Sequence, residues 1–251
     1  RLREGGVEVY RVEAAEEVCP GTSGLLSLGG DGTFLLGAKI AVQADIPILG
    51  VNFGRLGFLS EMRPEELSQA IFGSELRIEE RSLLQVTAGG SLEEGFWPYA
   101  LNETSISRDG ASMLGIDVEI DGAPLPTYWA DGLLVATSSG STAYSLSVGG
   151  PICMPDSKVF IVAPISPHNL NVRPLVVPQT ARIAISLRSR EDRAVFSMDN
   201  RSVRIPSDTR LTVSKAQVRL KRMSTGGSTF INALRTRLLW GEDVRNGNEA
   251  R

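Results

Sequence analysis

Apolar positions follow two rhythms along this chain, and the change falls near residue 81. In the first third, short apolar runs alternate with helical spacing. "VEVY" (Val7 to Tyr10) follows the Gly5-Gly6 pair and predicts a short strand, and "GLLSL" predicts a second. After "GGDGT" comes "FLLGAKIAVQA", where Phe34, Leu35, Ala38, Ala41 and Val42 fall on one face of a helix. Pro47 opens "PILGV", a buried strand; "NFGRLGFLSEM" reads as loop, and Pro64 is placed to start a helix over "RPEELSQAIF". Strand, helix and strand in alternation imply a parallel sheet covered by helices.

Beyond Arg81 the period becomes two. Leu114, Ile116, Val118 and Ile120 alternate with small or acidic residues before an Asp121-Gly122 turn; Ile183, Ile185 and Leu187 alternate with Arg, Ala and Ser. "VFIVAPI", "AVFSMD", "RLTVSKA" and "QVRLKRM" continue the strand pattern, and "STFINALRTRLLWG" returns to helical spacing. The expected fold class is α/β plus all-β. Residues 1–80 form a Rossmann-like α/β domain, residues 81–227 a β-rich sandwich domain, and the tail 228–251 packs back on the first. The chain opens on Arg1 rather than Met, so the natural N-terminus is expected to precede it.

Composition narrows the function classes. The net charge is −3 and only four lysines occur, Lys39, Lys158, Lys215 and Lys221, so no basic excess points to nucleic acid or a membrane surface. Cys19 and Cys153 form no metal or disulfide pattern, which suits a reduced, cytoplasmic protein. No apolar run is long enough to span a bilayer. The lone His168 excludes multi-histidine metal sites, and Ser138, Ser139 and Ser141 lack a nucleophile elbow.

"SLGGDGT", Ser27 to Thr33, joins a predicted strand to a predicted helix. One reading is a plain glycine turn. The other is a phosphate cradle, in which Gly29, Gly30 and Gly32 let backbone N–H groups and a helix N-terminus approach an anion. Neither a Walker lysine nor a completed dinucleotide fingerprint follows. Asp31 repels a phosphate, so its presence needs another reason: it accepts the proton of an attacking hydroxyl, or it holds a metal bridging the phosphates.

"GGDGT" resembles the signature shared by NAD kinases, diacylglycerol-type lipid kinases and, more loosely, phosphofructokinases. With "GVNFGRLGFL", "LNETSISR", "DGLLVATSSGSTAYSLSVGGPI" and "PISPHNLNVRPLVV", the order and spacing resemble the NAD kinase family from Leu25 to about Val177. The resemblance implies phosphoryl transfer from ATP to the 2′-hydroxyl of the adenosine ribose of NAD, with the active site between the two domains. It implies that Asp31 is the catalytic carboxylate and that Gly29, Gly30, Gly32 and Thr33 surround the phosphate. It implies that Phe53, with the loop from Leu56 to Phe58, lies near the substrate. Asn102, Glu103, Asp131, Thr142, Ala143, Tyr144 and Ser147 would bind the dinucleotide. It also implies Mg²⁺ or another divalent metal with ATP, although no dedicated ligand cluster is visible, and a homodimer or homotetramer. Polyphosphate as a donor, and NAD against NADH, stay open.

Several of these residues also have plainer readings. Taken alone, Asn102-Glu103 reads rather as an exposed strand end; Asp131-Gly132 also suits a hairpin turn, and Tyr144 half-buried packing. His168 suits a structural role and Arg173 a domain or subunit contact. One departure stands out: relatives commonly carry Asp-Gly-Gln where this chain has Asp199-Asn200-Arg201. Two alternatives to an NAD kinase remain: a lipid kinase on the same loop, and a dinucleotide sensor without catalysis.

Overall fold

The computed structural model describes residues 2–55, 57–73, 76–89, 95–225 and 230–241. Leu56, the expected boundary at 227 and the whole of the tail beyond Gly241 lie outside the described residues. In chain order the main elements are β1 (Leu25–Leu28), α1 (Asp31–Gln43), β2 (Ile48–Val51), α2 (Leu67–Phe72), β3 (Leu76–Ala88), β4 (Tyr99–Ala100) and β5 (Glu103–Arg108). Then follow β6 (Leu114–Ile120), β7 (Ala123–Pro124), β8 (Tyr128–Ala130), β9 (Gly132–Thr137), α3 (Tyr144–Ser147) and β10 (Val159–Ile165). The chain closes with β11 (Leu175–Pro178), β12 (Ile183–Arg188), β13 (Arg193–Met198), β14 (Arg201–Pro206), β15 (Leu211–Thr225) and α4 (Phe230–Arg237). They divide into two units, Arg1–Glu79 with Lys221–Arg251, and Glu80–Leu220.

The first unit is α/β. β1 and β2 pair in parallel, Leu25 opposite Ile48 through Leu28 opposite Val51, and Arg222 of β15 lies parallel beside Ile48. A parallel pair needs a crossover, and α1 supplies it. Phe34, Ala38 and Ala41 bury the inward face of α1. Leu49, Val51, Met62 and Ala70 form a compact apolar cluster with Leu26, Leu67, Leu76 and Met223 around it. α2 begins at Leu67, three residues after Pro64, because residues 64–66 form a turn. Val7 to Tyr10 is not a strand. Its residues alternate between half-buried and exposed, but no strand pairs with them among the described residues.

The second unit is β-rich. One antiparallel sheet runs β11-β10-β9-β5-β13-β14. In the other, β12 pairs with β6 and with the first part of β15, and β6 also pairs with β7 and β8. Inward residues of both sheets share one core, including Ile116, Leu133, Phe160, Ile183, Phe196 and Val213. β9 is buried along its whole length, because Leu134 and Ala136 on its other face pack with Ile161, Ala163 and Val148. The Asp121-Gly122 turn has positive φ at both residues, 51° and 82°, the pattern of a tight hairpin. "RLTVSKA" and "QVRLKRM" prove to be one strand, β15, whose alternation lapses at three exposed residues, 217–219.

Candidate active site

The first cluster sits where β1 meets α1. Gly30 caps the helix in extended geometry, and Asp31 is its first residue. The helix therefore begins inside the motif, and its first N–H groups have no intrahelical acceptor. Gly29 has φ 156°, and a Cβ there would lie 2.4 Å from the Thr33 hydroxyl, so the fold itself requires this glycine. Gly32 differs: it is exposed, and a Cβ built on it meets nothing within 4 Å. The open backbone at Gly32 is what close approach by a ligand requires.

Asp31 does not point idly into solvent. Its Oδ2 accepts the Phe58 N–H at 2.8 Å, and Oδ1 accepts those of Leu59 and Ser60 at 3.0 and 2.9 Å. Three consecutive backbone donors thus clamp one carboxylate. Gly57 closes this loop with an N–H to the Ser60 carbonyl at 3.0 Å, and a Cβ on Gly57 would fall 1.9 Å from Oδ1. An ionised carboxylate offers about four acceptor positions, so one remains on Oδ2. Upstream, Asn52 pins the loop by donating to the Arg55 carbonyl at 2.7 Å and accepting the Gly54 N–H at 2.9 Å. Phe53 projects from it, 70% exposed.

Behind the loop lies a charge cluster in which Arg222, Arg237 and Glu61 are largely buried and Glu79 is partly exposed. Arg222 meets Glu61 at 2.6 Å and Glu79 at 3.4 Å, and Arg237 approaches Glu61 at 3.8 Å. Ser224 donates to Glu79 at 2.8 Å. Burial makes the Arg237 guanidinium easier to deprotonate than usual, while the negative charges of Glu61 and Asp31 oppose that shift.

The second cluster is built in the other unit around the Leu101–Glu103 turn. The Asp199 carboxylate accepts the N–H groups of Leu101, Asn102 and Glu103 at 3.0, 2.9 and 3.3 Å. Asp199 itself turns with φ 50° between β13 and β14. From the other side, Thr137 N–H donates to the Asn102 carbonyl at 2.8 Å, and Thr137 Oγ1 donates to the Leu101 carbonyl at 2.5 Å. Gly140 packs so close that a Cβ would lie 2.2 Å from the Asn102 carbonyl oxygen. The Ser-Thr-Gly run after β9 is thus pressed onto the Asn102-Glu103 pair. Both residues are buried, not an exposed strand end.

Glu103 accepts the Tyr144 N–H, while its Oε2 is buried with no hydrogen-bond partner. Burial, then the charge of Asp199, pushes its pKa up to about 8, against the opposing Tyr144 bond. Burial likewise raises Asp199, opposed by its three N–H donors and by Arg201. Thr142 and Ala143 lead into α3, where the Tyr144 ring is 42% exposed and Ser147 is exposed. Asp131 is no hairpin tip: it lies between β8 and β9, and its N–H donates to the Ile165 carbonyl at 3.0 Å. Its Oδ1 accepts the Arg108 Nε–H at 2.8 Å with both side chains about one-third exposed.

Arg201, the departure noted above, turns inward. It donates to the carbonyls of Trp97 and Tyr99 at 2.8 and 2.7 Å and lies 5.5 Å over the Phe96 ring. Its cation fastens the segment before β4. The donors to Asp199 and to Asp31 are backbone groups, which carry no residue signature; sequence reasoning missed the clamps for that reason. Among the described residues, no group of three His, Cys, Asp or Glu is placed to hold a metal, and no helix is long and apolar enough to cross a membrane.

Comparison with known proteins adds the family. Residues 9–73 match the model of the ATP-NAD kinase N-terminal domain, and residues 101–225 that of the ATP-NAD kinase C-terminal domain. The chain is 44% identical over 225 residues to a protein named NAD kinase from Bacteroides fragilis, covering 88% of this chain and 77% of that one. It is 40% identical to the NAD kinase of Flavobacterium psychrophilum over 227 residues, with the same coverage of both chains. Among solved structures it is similar to a yeast NADH kinase complexed with NADH, with TM-score 0.80, 28% identity, and coverage of 90% and 69%. It is also similar to an NAD kinase from Archaeoglobus fulgidus in complex with ATP, with TM-score 0.71, 28% identity, and coverage of 90% and 87%.

Proposed function

The chain belongs to the NAD kinase family, and from that membership and the two clusters we infer how it works. It transfers the γ-phosphoryl group of ATP to the 2′-hydroxyl of the adenosine ribose of NAD, giving NADP. The family match sets the lipid-kinase alternative aside. The observation that carries the mechanism is the clamped carboxylate of Asp31, fixed by three N–H donors yet keeping an acceptor position on Oδ2.

In this mechanism the 2′-hydroxyl donates to Asp31 Oδ2. As its oxygen attacks the γ-phosphorus, its proton passes to the carboxylate and the bond from phosphorus to the ADP oxygen breaks. The open backbone at Gly30 and Gly32 and the start of α1 receive the phosphate oxygens. The clamp keeps Asp31 from swinging, so its geometry is set before substrate arrives.

The second cluster holds the acceptor. Asn102 and Glu103 suit ribose hydroxyls and amide groups, and Tyr144 offers a half-exposed ring for stacking. Thr142, Ala143 and Ser147 supply small groups along the same turn. Asp131 enters this role already paired with Arg108, so it acts as a fixed acceptor at one oxygen.

Mg²⁺ would enter with the triphosphate, whose oxygens would supply most of its ligands, because among the described residues no group of three acidic, His or Cys side chains is placed to hold it. Such an ion would neutralise part of the charge that the triphosphate carries during transfer. A cytoplasmic homo-oligomer completes the reading.

The test is NADP formation, with ATP, other nucleoside triphosphates and polyphosphate offered in turn to wild type and to Asp31→Asn. The variant should lose about 10²–10⁴-fold in turnover and keep NAD binding. Near-normal turnover in Asp31→Asn would remove that residue from the chemistry. Tight NAD binding by wild type with no NADP formed would instead identify a sensor.

A further inference from the structure

We propose that Arg237, near the end of α4, is a positioning residue for phosphoryl transfer that acts on Asp31 through the Phe58–Glu61 loop. The proposal deepens the reading above and rests on it. No cation follows the glycines of the motif closely in sequence, yet the fold brings one to the back of the loop that clamps the motif's carboxylate.

Arg237 grips both ends of that loop. Its guanidinium carbon lies 5.4 Å from the centre of the Phe58 ring, and its Nη2 lies 3.8 Å from Glu61 Oε2. Between these two residues run the N–H groups of Phe58, Leu59 and Ser60 that hold Asp31. Phe230, from the first turn of the same helix, meets the Phe58 ring at 6.0 Å. So α4 seats the loop with one aromatic contact and one cation.

The way the guanidinium is spent argues against plain structural fastening. Arg237 is 12% exposed, and its Nε and Nη1 are buried without hydrogen-bond partners. Arg201, by contrast, spends its guanidinium on two carbonyls. Arg237 is held by ring and charge, so its influence is electrostatic and steric. Glu61 already has Arg222 at 2.6 Å, and Arg222 also reaches Glu79. A second buried cation there is in excess of what Glu61 requires. The other carboxylate whose charge Arg237 feels is Asp31. A fixed cation behind Asp31 offsets the repulsion between that carboxylate and an arriving polyanion. It also keeps the loop from withdrawing when the phosphate lands.

The experiment compares wild type, Arg237→Met, Arg237→Lys, Asp31→Asn and the Arg237→Met/Asp31→Asn double variant. Readouts are steady-state NADP formation, thermal melting, and hydrogen exchange at the Phe58, Leu59 and Ser60 amides. Met keeps the packed stem and removes the charge. Arg237→Met should lower kcat by about 10–100-fold, the size expected of a misplaced reacting group, with KM for NAD within about twofold of wild type. The three amides should exchange at least about tenfold faster while α1 and β2 keep their protection. Arg237→Lys should restore most of the lost kcat. In the double variant the two losses should not multiply, because both act through one carboxylate.

Wild-type kcat in a folded Arg237→Met overturns the proposal, and so do multiplicative losses in the double variant or unchanged exchange at the three amides. If Arg237→Met does not fold, Arg237→Lys decides: kcat within about threefold of wild type supports a role for the charge, and a folded protein more than about tenfold slower overturns it. A wild-type chain that forms no NADP defeats the kinase reading itself, and amide exchange then still reports whether Arg237 seats the loop.

Discussion

Raising the pH from 5 to 8 should cost the protein roughly 3–4 kcal/mol of stability through one group, Glu103. Burial and the neighbouring Asp199 charge lift its pKa from 4.5 to about 8. Below pH 4.5 the group carries its proton in the folded and the unfolded chain alike, and it adds no pH dependence. Between 4.5 and about 8 the unfolded chain gives up a proton that the folded protein keeps. Unfolding then releases a proton and becomes easier as the pH rises. Above about 8 both states are ionised and the slope ends. Integrating between pH 5 and 8 gives the figure above, since each tenfold change in proton affinity is worth about 1.4 kcal/mol.

The assay is urea unfolding of wild type and Glu103→Gln at pH 5, 6, 7 and 8. Gln keeps the shape and an oxygen to accept the Tyr144 N–H, but it does not titrate. Asp199, raised in the same direction, is present in both proteins, so the difference between the two curves reports Glu103 together with its coupling to Asp199. Wild type should lose about 3–4 kcal/mol more than the variant across this range, or roughly 10 °C in melting temperature. Parallel curves, differing by less than about 1 kcal/mol in slope over the range, would refute the reasoning. A neutral Glu103 can donate as well as accept, so the Leu101–Glu103 turn changes its hydrogen-bonding character near pH 8.

Two glycines of the first cluster should respond in opposite ways. Gly32→Ala adds a Cβ in open space on a helix, so melting should hold or rise by up to about 1 kcal/mol while turnover falls at least about tenfold. Gly57→Ala drives a Cβ onto Asp31 Oδ1, so denaturant unfolding should show a loss of about 2–5 kcal/mol, with turnover lost as well. Arg201→Gln removes two hydrogen bonds to carbonyls and the cation over Phe96. Calorimetry should show a loss of about 2–4 kcal/mol, with KM for NAD nearly unchanged because the side chain faces inward.

Strands with strict alternation were legible in the sequence because one face must be dry. Leu114, Ile116 and Val118 are all buried in β6, with Ile120 at its end half-buried. The helix after "GGDGT" was legible for the same reason, although it starts at Asp31 and not at Phe34. Val7 to Tyr10 failed because alternation describes a candidate strand and says nothing about whether a partner exists. β15 was read as two strands because Gln217, Val218 and Arg219 are all exposed, which breaks the period without breaking the strand. In the candidate site, the residue types were legible and their supports were not. Asp31 is held by residues 27 to 29 positions away, and Asp199 by residues 96 to 98 positions away, all through main-chain N–H groups.

The two aspartates show that one device can serve two ends. Each gathers three consecutive N–H groups, and each thereby fixes a loop that local hydrogen bonding alone would leave free. What separates them is company. Asp199 lies beside Glu103 and Arg201, and its three N–H bonds order the turn that carries Asn102 and Glu103. Asp31 stands at the first residue of a helix and has an exposed glycine beside it. At Asp31 the clamp leaves one acceptor position on a carboxylate that begins a helix, whose N-terminus favours anions. The proposal that Asp31 takes the proton of an attacking hydroxyl therefore rests on the loop from Gly57 to Ser60 as much as on the glycines before it.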